Sequence, residues 1–493
     1  MSTKNRKTDW IDPMPTHPTR PPWAEPGRVA LGAALTLVAL AGGCVNQRQE
    51  VAHYRRVLHS HPATAPAALR VPQRLTLAVA MRLANDNNEQ LAISGENYLQ
   101  ALIAKNRAFA TFLPHVGLSV QDFQQKEFNT TGLPPDFSQF FQTHYFNLPL
   151  QTNLNINALH DAALIQAAGT TARQRRALLL DLQSTLLLEV AQTYYQILSD
   201  QRAVRVLRTT LRVQQANLAS MRRKEKAGIA IRLDVLQSAA DTAATRVQLT
   251  ATRNRLENGR ATLAFQIGVP SLNGARLRNQ FNPPAKVPSL VRLDQMAMRR
   301  RQDLRAAAYA VVAARQQVTA AVGEYFPSVS VNLDTFLSKQ SFPSDSWWSG
   351  LFSVNLPLFE GGMIYADVRT AYSQWRQARL EELRLQRQIR EQVRVARDNW
   401  HTAVRMVRNL RTEWAAAQAA FEQARHSYGV GLATNLDVIT AEDRALASQL
   451  AYEQARYTVR ADMLDLLRTT GRLNYSSIAR LAKAQPATRL SRF

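Results

Sequence analysis

Few residues in this chain have the type and spacing that covalent chemistry needs. The one cysteine, Cys44, offers a single thiol, which can form neither an intrachain disulfide nor a cysteine metal cluster. The nine histidines, among them His53, His59, His61 and His160, are scattered and show no paired metal spacing. The chain has neither a glycine-rich phosphate loop nor a nucleophile elbow. No catalytic residue, metal or cofactor is therefore expected. The acidic residues that draw the eye are Asp234 and Asp437, which close two similar turns opened by Gly228 and Gly431. Each directly precedes an apolar helical run, so each is expected to cap a helix, which contributes about 1 kcal/mol. The two glycines are expected to supply left-handed backbone at the turns.

Cys44 is defined by what precedes it. Residues 1–28 are polar and proline-rich, with Lys4, Arg6, Lys7, Arg20 and Arg28; Val29 to Gly43 is then almost wholly apolar. A basic lead, an apolar run too short to span a bilayer and small residues before a cleavage point predict a signal peptide over 1–43. Ala41, Gly42 and Gly43 before the cysteine resemble a bacterial lipobox, in which the cysteine sulfur is lipidated. The usual leucine three residues upstream is displaced by one, to Leu40. The competing reading is an ordinary cleaved signal with an incidental cysteine. The lead is long, which makes Met14 an alternative start. Val45 after the cysteine favours sorting to the outer membrane over retention at the inner one.

Lys and Arg number 61 against 37 Asp and Glu, a net charge of +24. Such a balance raises nucleic acid, anionic lipid or an anionic cargo as partners. The basic residues, however, are spread along long helical patterns, with no zinc-finger, basic-zipper or aromatic-basic platform. Nucleic acid is not expected. The row Arg376, Arg379, Arg384, Arg387, Arg390, Arg394, Arg397, Arg405, Arg408 and Arg411 recurs mostly at three or four residues. It reads as a solvated outer face partly paired with Glu381, Glu382 and Glu391, or alternatively as a tunnel lining suited to anions.

One plan is used twice. AGIAIRLDVLQSA from Ala227 parallels VGLATNLDVITAE from Val430, and Gly268 and Gly471 follow at matching positions. Upstream, LPHVGLSV at Leu113 matches FPSVSVNL at Phe326, and FNLPLQ at Phe146 matches VNLPLF at Val354. Strict alternation predicts strands at Val116–Val120, Phe146–Leu150, Ser328–Asp334 and Phe352–Leu358. Polar, aromatic-rich segments join them at about 126–143 and 338–350. If these strands cross a membrane, four per chain cannot close a barrel, and oligomerisation is forced.

The rest reads as helix. Two glycine- and proline-poor stretches, 158–224 and 362–426, would each extend about 100 Å, and shorter helices are predicted at 75–112, 235–267, 290–325 and 438–470. In the second long helix, Leu385, Ile389, Val393, Ala396, Trp400, Ala403, Val407, Leu410 and Trp414 form a coiled-coil-like seam. Tyr194, Tyr195 and Trp400 are read as packing residues. Pro114, Pro149, Pro327 and Pro357 are assigned to helix–strand junctions. The predicted organisation is a signal peptide (1–43), a lipidated linker (44–74), a first repeat (75–270), an inter-repeat linker (271–289), a second repeat (290–472) and a basic tail (473–493).

A helix, two strands, a very long helix, a glycine turn and a helix, all done twice, resemble the TolC family of outer-membrane factors over about residues 75–472. The turns Gly228–Asp234 and Gly431–Asp437 and the stretch Asn355–Gly362 carry the likeness. With the lipobox, the chain looks like the NodT/OprM-like lipoproteins paired with resistance-nodulation-division (RND) pumps. The resemblance implies an α+β membrane protein: a homotrimer with a twelve-stranded outer-membrane β-barrel on a long periplasmic α-helical barrel. It implies a periplasmic adaptor, an inner-membrane pump and outer-membrane lipid as partners, and an efflux channel for small molecules. A protein-secretion duct and a coiled-coil envelope protein without a pore are the alternatives. It further gives Gly228 and Gly431 an adaptor-contact role and makes Asp234, Tyr428 and Asp437 the periplasmic gate. In the family a tyrosine at the Tyr428 position bonds the aspartate matched by Asp234. Thr440 and Ala433 stand where the family prototype has a second aspartate and an arginine, which implies a thinner lock.

Overall fold

The computed structural model describes residues 46–59, 71–126, 142–272, 274–279, 281–284 and 286–477. Cys44, the 1–43 lead and most of the basic tail lie outside them. The chain divides into two compact units, and each half of the chain contributes to both.

The first unit is an antiparallel sheet of β2 (His115–Leu118), β3 (Gln121–Gln124), β4 (His144–Ile156), β6 (Ser328–Lys339) and β7 (Trp348–Asn355). β2 and β3 pair successive stretches of β4, so they act as one interrupted strand. Among the described residues the sheet therefore has four positions across, with β2/β3 and β7 as open edges. Pro149 is not at a helix–strand junction: it sits within β4, where the register against β6 shifts between Leu148 and Pro149. A residue with no N–H can sit inside a sheet only where pairing is irregular. Its carbonyl still accepts from Ser119 N–H at 3.1 Å.

Strand lengths depart from the alternation. β6 runs on to Lys339, into the predicted connection, and β7 ends at Asn355, so Leu356 and Leu358 are not strand residues. Pro357 cannot extend the ladder, and Gly361 and Gly362, at φ 61° and 88°, turn the chain toward the next helix. The turn between β6 and β7 is pinned by Asn147, whose Oδ1 accepts from the N–H groups of Gln340 (3.0 Å) and Ser341 (3.2 Å). Pro114 and Pro327 each directly precede a strand.

The second unit holds α1 (Gln47–Leu58), β1 (Arg74–Thr76), α2 (Leu77–Asn87), α3 (Glu89–Ala110), α4 (Ala158–Lys226), α5 (Arg232–Gln266), β5 (Arg276–Arg278), α6 (Leu290–Arg300), α7 (Gln302–Gly323), α8 (Met363–Gly429) and α9 (Asn435–Thr469). Among the described residues no helix is long and apolar enough to cross a membrane. Two of the four predicted shorter helices, 75–112 and 290–325, are in fact two helices each, whereas 235–267 and 438–470 are each a single helix. The break at Asn88 is made by its side chain, which donates to Gln266 O (3.0 Å) and accepts from Leu91 N–H (3.1 Å). At Arg301 the guanidinium binds Asp303 and Gln392 Oε1, the latter at 2.7 Å.

Those breaks explain Gly268 and Gly471. Both have positive φ, and a Cβ on either would lie within 3 Å of the backbone at its break: the Asn87 carbonyl for Gly268, the Arg300 carbonyl carbon for Gly471. Only glycine fits there. β1 and β5 form a short parallel pair, closed by buried Tyr194. Its hydroxyl lies 2.8 and 2.7 Å from the Leu75 and Arg278 carbonyl oxygens and accepts from Arg278 N–H. The core gathers here: Ile389, Val393, Ala396, Trp400 and Ala403 of α8 are buried with Leu187, Val190 and Ile197 of α4.

Candidate functional site: the helical tip

The two glycine turns end the long helices in the same way. Ile229 N–H reaches back to Lys224 O (2.8 Å), and Leu432 N–H reaches back to Ser427 O (2.8 Å). Gly228 and Gly431 occupy the left-handed position of this Schellman arrangement at φ 73° and 82°. The turns expose Ile229, Ile231, Leu233, Val430, Leu432 and Leu436, an apolar rim unlike an ordinary solvent-facing loop.

The helix starts that follow differ between the halves, and neither aspartate is the cap residue. Thr434 caps α9, and Asp437 completes a capping box three residues later, accepting from Thr434 N–H (2.8 Å) and Oγ1 (2.7 Å). These bonds hold the exposed Asp437 carboxyl below the usual carboxylate range. Asp234 has the matching position in α5, but Ile231 stands at the cap and offers no side-chain acceptor. The T-x-x-D spacing was the signal in the sequence; an aspartate beside an apolar run fits the third helical position as well as the cap.

Tyr428 does not bond Asp234. Its hydroxyl donates to Met221 Sδ at 3.4 Å, and Lys224 Nζ lies 4.8 Å from its ring centroid. Asn435 links the two helix starts: its Nδ2 donates to the Asp234 carbonyl oxygen at 3.2 Å. Thr440, on α9, back-bonds to Leu436 O.

About two helical turns deeper lies a carboxyl cluster that the sequence reading missed. Gln214 of α4 donates to Asp241 Oδ2 of α5 at 2.7 Å, and Glu442 of α9 is buried beside them. Burial first, then neighbouring carboxyls, push Asp241 and Glu442 up to about 7. Val438, Glu442 and Ala445 follow one buried helical stripe, so a glutamate on an apolar stripe was the available signal. The arginine row of α8 is exposed except for half-buried Arg397. Among the described residues, the expected pairing with Glu381, Glu382 or Glu391 does not form; Arg397 instead meets Asp398 at 3.1 Å.

With this geometry in place, comparison with known proteins is decisive. The family model for outer membrane efflux proteins matches residues 81–269 and 293–472, well over half of the chain. The chain belongs to the outer membrane efflux protein family. It is 28% identical to the outer membrane efflux protein BepC of Brucella suis, over 57% of this chain and 63% of BepC. It is thus matched to less than two thirds of that relative. To the toluene efflux pump outer membrane protein TtgF of Pseudomonas putida it is 23% identical, over 78% of this chain and 81% of TtgF. The fold is similar to the crystal structure of the Campylobacter jejuni CmeC outer membrane channel, with a TM-score of 0.72 at 15% identity, covering 89% of this chain and 96% of that one.

Proposed function

We propose that this protein is the outer-membrane channel of a tripartite efflux system, carrying small molecules from an inner-membrane pump to the exterior. The observation that carries the reading is the sheet of four strand positions with two open edges, in a chain whose exposed residues on β7 include Leu351 and Phe352. Open edges are not tolerated in lipid. Three copies joined edge to edge would close a twelve-stranded barrel, and the long helices would extend below it as a periplasmic tunnel. The homotrimer, the RND-type pump and the adaptor are parts of this proposal, and the apolar rim at Gly228 and Gly431 is its adaptor contact. Asp234, Tyr428 and Asp437 form its gate region, with Asn435 as the added link. Cys44 is its lipid anchor in the outer membrane, and the repeats 75–270 and 290–472 are its two building units. Neither a cofactor nor catalysis enters the reading.

Fractionation of the native bacterium with palmitate labelling, comparing wild type with Cys44→Ala, tests it. Outer-membrane recovery of a trimer-sized species, with label lost in the variant, is the expected result. Outer-membrane recovery without label would remove only the anchor. Recovery in the cytosol or inner membrane would overturn the channel.

A further inference from the structure

Where α4, α5, α8 and α9 meet beneath the turns there is a cavity of about 170 Å³. Its wall carries carboxyls from both halves of the chain, Asp241 and Glu442. The two cations that also line it already have partners: Arg425 pairs with Glu422 at 2.9 Å, and Lys224 lies over the ring of Tyr428, itself part of the wall. Gln214 is 2% exposed and spends its amide N–H on Asp241, while its Oε1 is buried without a partner. Native interiors avoid leaving a buried acceptor unmet. The cavity thus presents three acceptors, two of them able to carry negative charge, while its other polar lining residues, such as Asn217, Ser220 and Ser238, are neutral and supply no charge to balance them.

A bare metal ion does not fit this arrangement. Among the described residues no group of three His, Cys, Asp or Glu is close enough to hold one. A larger cation with its own N–H donors does fit, since it can span acceptors set farther apart. The Tyr428 ring and the Met221 sulfur add a polarisable wall for its alkyl part.

We propose that this cavity binds a small organic cation, an alkylammonium or alkylguanidinium group held between Asp241, Glu442 and the Gln214 carbonyl oxygen. Binding would tie the α4–α5 hairpin to α9 and does not depend on the channel reading. Its pH dependence follows from the groups that face the site. These are Lys224 from α4, Asp241 from α5, Arg425 and Tyr428 from α8, and Glu442 from α9. Asp443, also on α9, hydrogen-bonds Asp241. Burial holds the carboxyls protonated up to about 7. A cation must displace those protons, so affinity rises as pH passes through that range.

Isothermal titration of the detergent-purified full-length protein with n-butylammonium chloride at fixed ionic strength tests the site, with n-butanol as the uncharged control. Saturable binding is expected at pH 8, about ten-fold weaker at pH 6, and absent for n-butanol. D241N and E442Q should each weaken it by at least about ten-fold, and Gln214→Leu should weaken it with no change of charge. The first two remove a buried charge at constant shape, so their thermal midpoints should be no lower than wild type. A wild type without saturable binding at pH 8, or an affinity indifferent to pH and to all three substitutions, overturns the proposal and leaves the cluster as a proton-sharing contact.

Discussion

The side-chain amide of Asn435 donates to the backbone carbonyl oxygen of Asp234 at 3.2 Å and lies 3.4 Å from the Ser238 hydroxyl. Asn435 opens α9 and Asp234 lies in the first turn of α5, so one buried side chain couples equivalent helix starts from the two halves. Ala433 stands where the resemblance implies an arginine, and Tyr428 turns to Met221, which leaves Asn435 as the direct polar tie between these turns among the described residues. Asn435→Ala should weaken the α5–α9 contact by about 1 kcal/mol. Faster amide exchange in residues 231–238, with exchange near Tyr194 unchanged, is the expected readout. Uniform exchange at both places would remove Asn435 from this role.

The unequal caps make a paired prediction. Thr434→Ala removes the capping box and should cost α9 about 1 kcal/mol of local stability. It should also return the Asp437 carboxyl toward its ordinary range, because the Thr434 bonds hold it low. Ile231→Thr should do the reverse for α5, giving Asp234 the partner it lacks. Amide protection across the first turn of each helix checks both.

Much of this architecture is legible in the sequence, and the illegible parts share a cause. The long helices, the strand positions and the two glycine turns follow from local periodicity and backbone demands. The breaks at Asn88 and Arg301 have no glycine or proline to announce them. They are made by side chains that bind far along the chain, at Gln266 and Gln392. The same holds in part at the tip: the resemblance places Tyr428 there, but its partner Met221 depends on how helices pack, whereas the Thr434 partner of Asp437 had a local signal in the T-x-x-D spacing. Pro149 was misread because a proline signals irregular pairing as readily as a junction.

The carboxyl cluster predicts a direction of pH dependence. Asp241 and Glu442 have folded values raised to about 7, above those of an unfolded chain near 4. The folded state therefore binds more protons between those limits, and stability falls as pH rises through that window. Tip protection should be greater at pH 5 than at pH 8. Asp241→Asn, which cannot ionise, should flatten most of the difference. A tip that exchanges more slowly at pH 8 in wild type would contradict the assignment.

Gly268 and Gly471 should tolerate no side chain. Alanine at either would take up a left-handed conformation, costing about 1–2 kcal/mol, and its Cβ would press on the backbone of the adjoining break. Each variant should lower the thermal midpoint, and the double variant should lose roughly the sum, because the two sites share no partner. Gly228→Ala makes the control: it has the same backbone conformation, φ 73°, but no atom within 4 Å of an added Cβ, so only the conformational part should be lost.

The arginine row of α8 separates stability from permeation. Arg387, Arg390 and Arg394 are exposed and, among the described residues, take no carboxylate partner, so replacing all three by glutamine should change stability by less than about 0.5 kcal/mol each. Conductance then tells which face they occupy. On a solvated outer face they lie behind a wall of helices, more than the roughly 10 Å over which salt screens charge at 0.1 M, and the reversal potential in a salt gradient should not move. On the tunnel wall the loss of three cations per copy would shift selectivity toward cations. The absence of the Glu381, Glu382 and Glu391 pairs removes the compensation expected of a surface helix. A reversal-potential shift at unchanged thermal midpoint would therefore place the row inside the channel.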